Sequence, residues 1–500
     1  MAEMHDITGL LKPYLSGMNL VWTLLLVGYI IPKLFQYLQR PFSPVSRIPG
    51  SWLHKLTSLP LKIAIAKGES HIFTVGLHKK YGPIVALSPT MISISDAREI
   101  KRIVHTEDWA KSEAVYGNFR QDPQRPTLLA FTDKKAYSQR KRLVSSMFGL
   151  RYIRSMQPLM RDCISVLVDE LDRQCANGTT TVDMQHMIQS LAADIIGVTT
   201  FGQTFDLVKN GSHPLPDRLK QALKLSGILQ FMPWLTKIPF IPNRDPYVSW
   251  FTNEIVAKRR AQIASRQGPP REDLLQKMIE AADESPASPF RVSDIQDESV
   301  VLLIAGSETT ANAELFTLIH LLRHPRKLAA LYEEIDRWYP RSDPRPTDCD
   351  YSMSGMVYLQ ACIDETMRLV PGQATGSPRE SRKDETLLGY DIPKGTTVFP
   401  TTQEVHLDET LWPNATEFLP ERWLDVYAKG EANSLPYYPF SAGSRVCIGK
   451  HFAAQEMHLS LVSLLRRFRF EYVPGQDEST VFRIAQQMRG HRYLMTVGRR

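Results

Sequence analysis

Between Ser293 and the turn at His324-Pro325 the sequence keeps a helical period without interruption, and Ser293-Asp294-Ile295-Gln296 has the spacing of a capping box at its start. The pattern predicts one helix of about 30 residues, about 45 Å long. Only a large domain can bury such an element along its length. The chain has the material for one, since 43% of its 500 residues are hydrophobic. Most of the remaining sequence also has helical period. One helix ends at Val370-Pro371, and another starts just after Cys447 and runs through the apolar stretch Leu459 to Leu465. Ile84 to Leu87 and Met91 to Ile94, around Ser88-Pro89-Thr90, read as a strand pair. No repeat, low-complexity segment or Gly/Ser-rich linker divides the chain after residue 50. The expected fold class is mainly α, a helix-rich single domain with small β-sheets over residues 41–500.

The amino-terminal part is of another kind. No residue between Lys12 and Lys33 is charged, and as a helix that stretch spans roughly 30 Å, about one hydrocarbon core. It ends in Ile31-Pro32-Lys33 without a small-residue cleavage site, so a transmembrane helix over about 13–32, inside an anchor of residues 1–40, is expected rather than a signal peptide. Glu3 and Asp6 precede it, whereas Lys33, Arg40, Arg47, Lys55, Lys62 and Lys67 follow with no acid before Glu69. The positive-inside rule then places the bulk of the chain in the cytosol. Pro41, Pro44, Pro49 and Gly50 make a non-helical connection after it. A second apolar run, Leu229 to Ile241, is broken by Pro233 and Pro239 and is expected to dip into the bilayer beside the anchor.

The formal charge of +7 is spread over short clusters. That pattern argues against nucleic acid and for an acidic partner or a membrane surface. Five cysteines, an odd number with no C-x-x-C spacing, do not make a disulfide framework.

Three local patterns carry chemistry. Phe440-Ser441-Ala442-Gly443-Ser444-Arg445-Val446-Cys447-Ile448-Gly449 fills every defined position of F-x-x-G-x-R-x-C-x-G. Glu365-Thr366-Met367-Arg368 places an acid and a base on one helical face, and Pro420-Glu421-Arg422-Trp423 lies downstream of it. Ala305-Gly306-Ser307-Glu308-Thr309-Thr310 sets glycine and hydroxyl residues in the middle of the long helix, where each is unfavourable. Together these resemble the cysteine loop, the E-x-x-R helix with its P-E-R-F element, and the [AG]-G-x-[DE]-T-T helix of cytochromes P450. The wording is most similar to that of microsomal members from filamentous fungi, many of which tailor secondary metabolites. The likeness covers residue 41 to the end.

The resemblance implies a role for single residues. Cys447 ligates the iron of haem b as thiolate, on a tight loop entering a helix whose N–H groups stabilise the anion. Gly443 permits a turn with positive φ, Gly449 lets the backbone approach the porphyrin, Phe440 shields the sulfur, and Arg445 pairs with a propionate. Arg379, in Ser377-Pro378-Arg379, binds a propionate too. Where the family shows Trp or His followed by Arg, this chain has Tyr137 and Lys141, which leaves open which of Arg140, Lys141 and Arg142 touches the haem. Glu365, Arg368 and Arg422 lock the wall behind the cysteine loop, a structural role. Gly306 leaves room for dioxygen and loosens the helix, while Glu308 and Thr309 relay protons.

The implied activity is monooxygenation of a lipophilic small molecule with electrons from NADPH through a separate NADPH-cytochrome P450 reductase, with cytochrome b5 as a second donor. The implied place is the endoplasmic reticulum membrane. A basic face of Lys134, Lys135, Arg140, Lys141, Arg142, Lys450 and His451 meets the acidic donor. Pocket walls come from segments near Tyr116 to Leu129, Leu223 to Ile241, Leu302 to Thr309, Gly372 to Gly376 and Phe482 to Met488. Two other activities remain: a haem isomerase or dehydratase that needs no dioxygen, and a non-catalytic haem- or lipid-binding membrane protein.

Overall fold

The helical period around Ser293 folds as one helix, Val292–Arg323, of 32 residues in the computed structural model. The structure describes residues 43–120, 124–219, 245–265, 271–283, 290–340 and 355–500. The expected anchor over residues 1–40 and the apolar run Leu229 to Ile241 lie outside them. Among the described residues no helix is long and apolar enough to cross a membrane.

The long helix starts two residues earlier than its sequence implies. Arg291 is the N-cap and the Asp294 carboxylate accepts from Arg291 N at 2.8 Å, while the Ser293 hydroxyl receives Arg125. An acid three residues into a helix satisfies an orphan amide and faces the positive end of the dipole, so Asp294 outcompetes Ser293. At the other end Pro325 cannot continue the helix and begins the next one, Pro325–Trp338.

The helices Met184–Ile196 and Lys450–Arg467 pack against this axis, and Gln157–Gln174 packs on both of them. Their apolar stripes meet in one core: Leu303, Leu315 and Leu318 from the long helix, Ile188 and Leu191, Ile164 and Leu167, Leu461 and Leu464. The close approach has a specific cause. A Cβ on Gly306 would lie 2.5 Å from Ile196 Cδ1. The space of the missing side chain at Gly306 is therefore filled by Ile196, so close helix packing by itself requires glycine at this position.

Four small sheets are present among the described residues. The strand pair read from sequence is a hairpin, Ile84–Ser88 antiparallel to Met91–Ile94 with Ile84 opposite Ile94. It is one edge of a five-stranded sheet. Thr397–Pro400 runs parallel to Met91–Ile94, Arg379–Glu380 pairs antiparallel with Thr397–Pro400, and Ala110–Lys111 closes the far edge. That last ladder sets Lys111 directly opposite Arg379.

Candidate active site: the cysteine loop and the cations around it

The cysteine loop is built by its own backbone. Gly443 has φ +67°, as the turn requires, and a Cβ there would meet the Val104 carbonyl at 2.3 Å. The amide of Cys447 donates to the Phe440 carbonyl at 2.9 Å, and the helix Lys450–Arg467 begins with Gly449 as its N-cap. A Cβ on Gly449 would lie 3.9 Å from Cys447 Sγ, beside the sulfur. Phe440 is half-buried against the main core.

Cys163, Cys175 and Cys362 are buried, whereas Cys447 is exposed. Even so, burial is the largest influence on its thiol and pushes the pKa up, against the Gly449 amide and the charges of Lys111, Lys141 and Lys450, which pull it down. Both facts hold together if the sulfur opens onto a cleft inside the molecule and not onto bulk water. Ala305 gives the same sign on the long helix, being exposed midway along an element buried on either side. Thr309 Oγ1 donates to the Ala305 carbonyl at 2.6 Å, and Glu308 is half-buried.

Three cations line this region. Lys111 Nζ donates to the Leu129 carbonyl at 2.8 Å, Arg379 Nη1 to the Trp109 carbonyl at 2.9 Å, and Arg445 Nη1 to the Phe131 carbonyl at 2.8 Å. Arg379 is fully buried, and its Nε and Nη2, like Nη2 of Arg445, have no hydrogen-bond partner. Burial, then the charges of Arg445 and Arg379, lower the Lys111 pKa to about 7, and burial lowers that of Arg445 to about 10. Among the described residues the acid paired with this group is Asp108, 3.8 Å from Arg379. Like charges opposed on a strand pair, with buried donors unmet, are costly unless an anion joins them. Three positive groups against one carboxylate fit a ligand with two acidic groups, beside a sulfur that fits a soft metal. These residues therefore suit a haem-thiolate group.

The helix Lys134–Ser145 settles which basic residue faces the loop. Lys141 Nζ and Tyr137 Oη both donate to the Ser444 carbonyl, at 2.6 and 3.1 Å, and the Arg445 guanidinium lies 3.5 Å from the Tyr137 ring centroid. Arg140 turns the other way. It is buried, 3.3 Å from Asp294 and stacked near Phe290, so it does not belong to the exposed basic face expected of it. Arg142 is exposed.

Behind the loop, Glu365 accepts five hydrogen bonds. Arg368 donates from Nε and Nη2 at 2.9 and 2.8 Å, Arg422 Nε and the Leu419 amide at 3.0 Å, and Trp423 Nε1 at 2.9 Å. Arg368 also ties down the carbonyls of His406 and Ala415 at 2.6 and 2.7 Å. The indole of Trp423 fills an acceptor that the family's phenylalanine could not reach. Lys111, Asp108 and the Trp423 bond escape a sequence reading: a lone lysine between Ala110 and Ser112 looks like any surface lysine until the strand pair is known.

The comparisons agree with this geometry. A family model described as "Cytochrome P450" matches residues 50–492. The chain is 97% identical over 500 residues to "Cytochrome P450 monooxygenase acrD" of Aspergillus aculeatus, covering all of both chains. It is 60% identical over 490 residues to "Cytochrome P450 monooxygenase LUC2" of a Fusarium species, covering 97% of this chain and 95% of that one. A crystal structure of a cytochrome P450 superposes with a TM-score of 0.76 at 22% identity, over 91% of this chain and 99% of its own, a likeness of fold. The chain, with its cysteine loop, its braced E-x-x-R helix and its cluster of buried cations, belongs to the cytochrome P450 family and is a monooxygenase of the oxidoreductase class.

Proposed function

We propose that the protein binds haem b and, in the endoplasmic reticulum membrane with its catalytic domain in the cytosol, oxygenates a lipophilic secondary-metabolite intermediate with electrons from NADPH through a separate reductase. The observation that carries the cofactor is the surplus of buried positive charge beside an accessible cysteine. Cys447 would ligate the iron, and Lys111, Arg379 and Arg445 would hold the propionates. When bound, the haem supplies dioxygen activation, by which one oxygen atom enters the substrate and the other leaves as water. Thr309 Oγ1, whose proton now rests on the Ala305 carbonyl, keeps its lone pairs to accept a further donor, and Glu308 is the adjoining acid. Lys134, Lys135, Arg142 and Lys450 are exposed for an acidic electron donor, with cytochrome b5 as a second one.

The test is a reconstituted system with reductase and NADPH. Thr309→Ala is expected to leave haem content intact while product per NADPH falls about tenfold and hydrogen peroxide rises, a fraction of the ~10²–10⁴ that positioned acid–base groups contribute. Conversion at an undiminished rate without dioxygen would make the protein a haem isomerase and end this reading.

Membrane attachment has support within the described residues. Trp52, Leu59, Ile63 and Ile72 are 70%, 57%, 47% and 54% exposed, among Lys55, Lys62 and Lys67 and close after the uncharged stretch 13–32. Apolar groups set among lysines suit the face of an anionic bilayer. A chain lacking residues 1–42 is expected to sediment with anionic vesicles, and Trp52→Ser with Ile72→Ser to weaken this by tenfold or more, ~1.4 kcal/mol. A truncated chain that ignores vesicles would show that the anchor acts alone.

A further inference from the structure

The segment Thr127–Phe131 is a strap pinned at alternate peptide groups by buried charged side chains from three separate parts of the fold. The Leu128 amide donates to Glu298 Oε1 of the long helix at 2.8 Å. The Leu129 carbonyl accepts from Lys111 of the short edge strand at 2.8 Å, and the Phe131 carbonyl from Arg445 of the cysteine loop at 2.8 Å. Its own bonds, Ala130 N to Thr127 O at 2.9 Å and Phe131 N to Thr127 O at 3.1 Å, wind it into a turn. Thr127 and Ala130 are buried, while Leu129 between them is 37% exposed. The turn thus presents one leucine.

Two of the three pins, Lys111 and Arg445, are the cations assigned to the cofactor. The third is not. Glu298 is a carboxyl buried in the long helix, and burial pushes its pKa up to about 7. Nearby Arg140 is directed to Asp294. A buried carboxyl is expensive to keep, and a leucine would fill an ordinary core position at lower cost. What Glu298 does in this structure is accept the Leu128 amide.

We propose that Glu298 is a positioning residue for the substrate: by fixing the Leu128 amide, a group that the cofactor-binding cations do not bond, it sets where Leu129 stands against a lipophilic ligand. The inference rests on the P450 reading, in which this segment walls the pocket. It assigns selectivity for the apolar part of the ligand to a residue that never touches it. Because Lys111 and Arg445 pin the same strap, loading of the cofactor and the shape of the wall are linked through shared anchors.

The experiment uses the holoenzyme and two probes that bind haem iron through the same ring nitrogen, imidazole and phenylimidazole, so that their affinity ratio reports on the wall alone. Glu298→Ala is expected to keep the carbon-monoxide band, to speed hydrogen exchange of the Leu128 amide tenfold or more, and to lower the phenylimidazole-to-imidazole ratio at least fivefold. Glu298→Gln keeps an acceptor oxygen and is expected to restore both. Leu129→Phe, on the strap itself, is expected to change the ratio without changing exchange, and it stands as the test if Glu298→Ala does not fold. Unchanged exchange at Leu128, an equal loss for both probes, a glutamine variant as poor as alanine, or a ratio indifferent to Leu129→Phe would each overturn the proposal. Wild-type protein without a thiolate band would instead strike at the cofactor reading, and the exchange comparison would still judge the strap.

Discussion

Glu365→Ala is expected to yield little or no soluble haem protein. Removing this carboxylate leaves Arg368, fully buried, with two guanidinium donors unmet, and frees the Leu419 amide, Arg422 and Trp423 from their common acceptor. Breaking one partner of a buried ion pair costs about 3–5 kcal/mol, a large part of the ~5–15 kcal/mol by which domains are stable. Arg368 also holds the carbonyls of His406 and Ala415, in the segment leading towards the cysteine loop, so a guanidinium that has lost its carboxylate carries the disturbance towards Cys447. Soluble yield and the thermal midpoint with haem bound are the measurements. A variant within ~1 kcal/mol of wild type would show that the five bonds do not brace the loop. The same carboxyl predicts an acid limit. Burial raises its pKa, but the bonds and charge of Arg368, then Leu419 and Arg422, outweigh this and hold it below its ordinary value. A depressed folded pKa gives stability that is complete above the unfolded value of about 4.3 and is lost as pH falls through the folded one.

Cys447→His is expected to abolish the strongly red-shifted carbon-monoxide band of a thiolate-ligated ferrous haem while leaving the fold in place. The fold survives because Cys447 is exposed and is not a core residue. The band goes because nothing else in the loop offers sulfur. Burial holds the thiol up against the pull of the Gly449 amide and three lysines, and a metal bound at this sulfur would favour the thiolate. Retention of the band in the variant would sink the assignment of the ligand.

Sequence reading went furthest where the chemistry is local. The long helix, the hairpin at Ile84 to Ile94, and the Glu365–Arg368 pair depend on spacings of a few residues, and the structure has them with small shifts at the ends. It failed where contact depends on distant pairing. Lys111 reaches the site because a two-residue strand lines up with Arg379. Arg140, read as part of an exposed basic face, turns inward because Asp294 and Phe290 arrive from the long helix and the residues just before it. Nor could composition place acids in the core. Glu314 accepts from Ser460 at 2.6 Å inside the helical bundle, and burial pushes its pKa up to about 8. Glu456, pushed up by burial and by Glu314, is its partner from another helix.

The contact of Gly306 with Ile196 bears on how such an enzyme can diversify. Gly306, midway along the long helix, stands against Ile196 of a neighbouring helix, so drift at this position is arrested by collision before selection on chemistry acts. Valine at position 306 would need a matching retreat at position 196, a paired change that single mutational steps seldom find. If the strap sets the pocket wall as proposed, substrate choice can change at Leu129 without any change at Gly306, and relatives with different products are expected to differ first at residues 127–131.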